Sequence, residues 1–128
     1  MTALLYVFGL VAIVAGGFAF LAPLAFFDLL AAYTGTPNAH LVRDVGAAYI
    51  AAGVALCWAA RRPARRGPLV GVAAIFLLLH ALGHVWDLAT GQVALSHALI
   101  DAVQVFVPAA VTVGLAVYFL RREREPHE

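Results

Sequence analysis

Apolar residues run along the chain in four long blocks separated by short polar interruptions. Met1–Phe27 carries no charged side chain, and Leu41–Ala60 carries only Arg43 and Asp44, near its start. Gly67–Trp86 contains His80 and His84 but no Asp, Glu, Lys or Arg, and Ala102–Leu120 contains none of these. Each block is close to the roughly 20 residues that cross a bilayer as a helix. Lipid offers the backbone no hydrogen-bond partners, so such blocks must be helical. The pattern predicts an all-α, polytopic membrane protein, a bundle of four transmembrane helices forming one domain over residues 1–128. Two helical hairpins would occupy residues 1–60 and 67–120, followed by a tail at 121–128. The first block lacks a basic leader and is longer than the apolar core of a signal peptide, so it reads as a span that is retained.

Polar residues inside the blocks fall in helical phase. His80, His84 and Asp87 stand at i, i+4 and i+7, and His97, Asp101 and Gln104 repeat that spacing. His40, Arg43 and Asp44 share the first turns of the second span. At a rise of about 1.5 Å per residue, His80, His84, Asp44 and Asp101 come to lie about 6–12 Å below one membrane surface. Asp28, His40, Asp87 and His97 would form a shallower rim.

The two halves can be laid together, FFDLLAAYTGTPNAHLVRD against VWDLATGQVALSHALID. Asp28 then matches Asp87, His40 matches His97 and Asp44 matches Asp101, predicting a hairpin repeat about a pseudo-twofold axis along the membrane normal. Gly9, Gly16, Gly17, Gly46 and Gly53 predict close helix approach in the first half. Pro108 predicts a kink in the last span and a wider bundle beneath the polar groups.

Composition supports the membrane reading. The chain is 64% hydrophobic and 12% charged, with a mean hydropathy of +0.94, whereas soluble domains are about half apolar and a quarter charged. The net charge of +1 says little, but its distribution is informative. Lysine is absent, and seven of the eight arginines lie in RRPARR (Arg61–Arg66) and the RRERE tail, where the positive-inside rule predicts cytoplasm. Both termini would then be cytoplasmic, and all four aspartates and four of the five histidines would face the outer half. Trp58 and Trp86 read as interface aromatics at opposite faces. The arginines lack aromatic interleaving, which gives no support to nucleic-acid binding. Cys57 is the single cysteine and cannot close an internal disulfide.

Ionisable groups within a span are costly and therefore functional candidates. The leading expectation is a metal centre of His80, His84, Asp101 and Asp44 holding a divalent ion such as iron, zinc, manganese or copper. Arg43, Asp87, His97 and Gln104 would support it from behind. Redox work is the activity that such a centre suggests. Haem held by His80 or His84 and a histidine of another helix is the weaker variant, since His97 is shallow. A second expectation is metal-free acid–base catalysis by Asp101, Asp44 and His84 on a lipophilic small molecule. A third is transport or proton relay, although no acidic, basic or histidine side chain lies between Asp44 and Arg61 or between Gln104 and Arg121. A fourth is assembly, as a homodimer or as a subunit of a larger membrane complex. Lipids are expected contacts in every case.

The segment PNAHLVRDVGAAYIAAGVAL (Pro37–Leu56) resembles the second-helix segment of DoxX-like and related small four-helix inner-membrane proteins of bacteria. The resemblance implies a four-helix bundle in the inner (plasma) membrane and an association with respiratory or sulfur redox metabolism. It carries over no catalytic residue, and the His/Asp cluster of residues 80–101 departs from it.

Overall fold

The computed structural model describes residues 1–29, 36–93, 95 and 98–123. All regular structure among them is helical: α1 (Thr2–Leu21), α2 (Pro23–Leu29), α3 (Ala39–Arg61), a 3-10 turn (Pro63–Arg65), α4 (Arg66–Ala89), α5 (Ala98–Asp101), a π-turn (Ala102–Phe106) and α6 (Val107–Arg122). Four stretches are long and apolar enough to cross a membrane: Thr2–Leu21, Ala39–Arg61, Pro63–Ala89 and Ala98–Arg122. Large apolar side chains such as Val7, Val11, Val14, Val72, Ile75 and Leu79 face outward. A soluble monomer rarely exposes so continuous an apolar surface. The chain is a multi-pass membrane protein by this measure.

The first apolar block is broken where the sequence pattern reads straight through. Pro23 disfavours helical geometry in the residue before it, and Ala22 leaves the helix at φ −130° and ψ 61°. Pro23 then opens α2, where its missing N–H costs nothing. Entry to α3 is set by Asn38, whose side-chain oxygen accepts the backbone N–H groups of His40 (3.0 Å) and Leu41 (3.2 Å). An Asn38→Ala variant is expected to lose about 1 kcal/mol of stability, read as an earlier denaturant midpoint in detergent, with Asn38→Asp close to wild type.

Packing is tightest between α1 and α3. Cβ atoms built on Gly9, Gly16, Gly46 and Gly53 would each meet backbone of the facing helix at 2.5–2.9 Å, so glycine is required at all four. The remaining helices pack α3 on α4 and α4 on α6. Leu5, Leu56 and Val70 are fully buried in this core. The buried Thr112 hydroxyl finds the carbonyls of Pro108 (2.7 Å) and Ala109 (3.1 Å), which satisfies it within its own helix.

Arg66 ties one end of the bundle. Its guanidinium donates to the carbonyls of Ala59 (3.1 Å) and Ala60 (3.2 Å) and to the Thr2 hydroxyl (3.2 Å), and lies 5.4 Å from the Phe119 ring centre. Glu123 accepts the N–H of Gly67 at 2.9 Å, a carboxylate at a helix N-terminus. The start of α1 and the end of α6 therefore share the arginine end. His84 lies eighteen residues along α4 from Arg66, about 27 Å away at 1.5 Å per residue.

Candidate functional site: an Asp–His–His chain

His80 and His84 stand one turn apart near the far end of α4, and Asp101 closes α5 on the neighbouring helix. The His84 Nδ1 atom lies 3.0 Å from Asp101 Oδ2, and its Nε2 atom lies 3.2 Å from His80 Nε2. The side chains of His84 and Asp101 are only 14% and 17% exposed. Beneath them lies an apolar floor of Leu77, Ala81, Val105 and Ala109. His80 is held by aromatic rings: Tyr49 of α3 meets it edge-on at 5.3 Å, and Phe76, one turn earlier, stacks at 5.9 Å.

The arrangement is a chain rather than a cage. The two nitrogens of an imidazole lie at separate positions on the ring edge and point in diverging directions, so Asp101 and His80 meet His84 on different sides. A carboxylate only accepts hydrogen bonds, so Nδ1 of His84 carries the proton that Asp101 receives. With both rings neutral, His84 Nε2 is then an acceptor, His80 Nε2 donates to it, and His80 Nδ1 is left as an acceptor. A proton taken up at His80 Nδ1 allows the Nε2 proton to pass to His84. The resulting imidazolium lies against the Asp101 carboxylate. Low polarity around the chain strengthens each of these bonds.

Helix geometry decides which other expected residues join. Tyr49 of α3 meets the His80 ring. Asp44, five residues earlier, is rotated by about 140° from it at 100° per residue. Asp44 makes no hydrogen bond or ion pair with the cluster among the described residues; its carboxylate lies 3.5 Å from His40 and is 61% exposed. Arg43 is exposed as well. Among the described residues no three His, Cys, Asp or Glu side chains converge as ligands on one point. Gln104, expected on the Asp101 face, is exposed. The cause is the π-turn: Val107 N–H bonds the Ala102 carbonyl, five residues back, and the wider turn changes the facing of Gln104. Pro108, which has no N–H to donate, stands in the first turn of α6, directly after this π-turn. Asp87 is half-buried, its carbonyl accepting the Gln92 N–H at 2.9 Å. His97 lies outside the described residues. Tyr49 and Phe76 escape the sequence reading. The i, i+4 spacing of Phe76 to His80 pointed to one of them; nothing in the sequence marks Tyr49.

A helical membrane protein with a hydrogen-bonded Asp–His–His chain between its last two spans is the class these features define. The chain matches, over residues 1–102, the family described as Domain of unknown function (DUF4345), and it belongs to that family. The matched region includes His80, His84 and Asp101. No curated protein and no solved structure matches it.

Proposed function

We propose that this protein handles protons within the membrane, using Asp101, His84 and His80 as an acid–base site for a lipophilic small molecule. The observation that carries this reading is the pair of contacts on different nitrogens of His84, 3.0 Å to Asp101 and 3.2 Å to His80. That is the connectivity of a carboxylate-oriented imidazole passing a proton to a second base. Asp101 fixes the tautomer, His84 stores the charge, and His80 presents Nδ1 to the substrate.

Arginine placement supports an orientation with the arginine end and both termini cytoplasmic and the His/Asp end toward the outer leaflet. The Pro37–Leu56 likeness to DoxX-like proteins supports the bacterial inner membrane. The aligned Asp28/Asp87, His40/His97 and Asp44/Asp101 pairs support a pseudo-twofold repeat in which only the second half kept the histidine pair. Lipids surround the bundle, and a homodimer or larger complex is compatible with its outward-facing apolar surface.

The 3.2 Å between the two Nε2 atoms favours a second reading, a metal centre. Two nitrogens bound to one tetrahedral ion at about 2.0–2.1 Å stand about 3.4 Å apart. His80 and His84 would then be the ligands of iron, zinc, manganese or copper, and Asp101 would orient His84.

Incubation of the membrane-reconstituted protein with lipid extract in deuterated water separates the two. Proton chemistry predicts deuterium entering, or a mass change in, a lipophilic species with wild type and not with His84→Gln, in protein free of stoichiometric metal. One equivalent of metal, lost in both His80→Ala and His84→Ala, contradicts the first reading and supports the second.

A further inference from the structure

We propose that the corner between α3 and α4 is a binding site for the headgroup phosphate of an anionic phospholipid. A surface groove there is lined by Trp58, Arg61, Arg62, Pro63, Ala64 and Arg65. Two neighbouring arginines are already engaged: Arg61 donates to the Tyr6 hydroxyl at 3.3 Å, and Arg66 holds the carbonyls of Ala59 and Ala60. Arg66 thereby offsets the negative C-terminal end of α3, which would otherwise repel an anion. The side chains of Arg62 and Arg65 make no hydrogen bond or ion pair among the described residues. Both are exposed; Arg62 precedes and Arg65 ends the short 3-10 turn that Pro63 opens.

The rest of the groove argues for a lipid as the source of the phosphate. Trp58 is half exposed and stands one turn back along α3, toward the membrane. An indole at that depth is a wall for the glycerol and upper acyl chain, while two guanidiniums at the rim match a phosphate oxygen pair. Arg121 and Arg122, at the same end, provide an internal control. Arg122 lies over the Tyr118 ring at 5.1 Å, and neither residue lines the groove.

The test is native mass spectrometry of the full chain extracted from vesicles of equal phosphatidylglycerol and phosphatidylcholine. Wild type is expected to retain the anionic lipid preferentially. Loss of each rim arginine is worth about fivefold, so Arg62→Gln/Arg65→Gln should lower that preference about 25-fold. Arg121→Gln/Arg122→Gln removes the same charge and should leave it nearly intact. Unchanged preference in the first variant, or equal loss in the second, overturns the site. Displacement of the lipid by millimolar inorganic phosphate assigns the groove to a soluble ion and overturns the lipid source.

Discussion

Replacing Gly16 with leucine is expected to cost more stability than removing either partner of the His84–Asp101 pair, and to disturb the histidine site as well. A Cβ at Gly16 would stand 2.5 Å from the carbonyl oxygen of Gly46 and 2.9 Å from both the Ile50 nitrogen and the Tyr49 Cβ. Two of those three atoms are backbone of α3 and cannot swing aside. Gly16→Ala alone should cost about 1–3 kcal/mol, as overpacked cores do. The three further carbons of leucine push α1 off α3 and should exceed about 4 kcal/mol. Tyr49 is the residue that braces His80, so displacement at Gly16 reaches the site. Gly17 is the control. A Cβ there meets nothing within 4 Å, so Gly17→Ala should sit within about 0.5 kcal/mol of wild type. Denaturant titration in detergent reads all three.

Removing His84 and Asp101 together should cost less than the two single losses added. His84→Ala leaves a mostly buried carboxylate without its donor, which should cost about 3 kcal/mol. Asp101→Ala leaves an imidazole still bonded to His80 and should cost less. The double variant has no stranded charge, so its loss should fall short of the sum by about 1–3 kcal/mol. Strict additivity in this cycle would mean that the 3.0 Å contact does no energetic work.

Much of the fold was legible because lipid imposes a simple rule, and the rule acts on blocks of residues. Four apolar stretches correspond to four spans, and the helical phase of His80, His84 and Asp101 already implied a shared surface. What escaped was rotation about helix axes. Asp44 has the right depth, but α3 turns Gly46 and Gly53 to α1 and Tyr49 to α4, which leaves Asp44 beside His40. Gln104 has the right spacing for an α-helix and the wrong one for the π-turn that occupies residues 102–106. The break at Ala22 was readable from Pro23, yet the uninterrupted apolar run hid it. Glycine contacts also differ between the halves. Gly9, Gly16, Gly46 and Gly53 lock α1 to α3 backbone to backbone, whereas Gly71, Gly83 and Gly114 have open space around the Cβ position and Gly67 faces the flexible Glu123 side chain. The half that carries the histidines is thus the less tightly interlocked one.

Nitrogen NMR of the protein, 15N-labelled at histidine and embedded in lipid nanodiscs, addresses the proton chain at its source. A coupling between the Nε2 atoms of His80 and His84, with a protonated His84 Nδ1 whose signal moves in Asp101→Asn, is the expected result. Two uncoupled imidazoles, indifferent to residue 101, would contradict it.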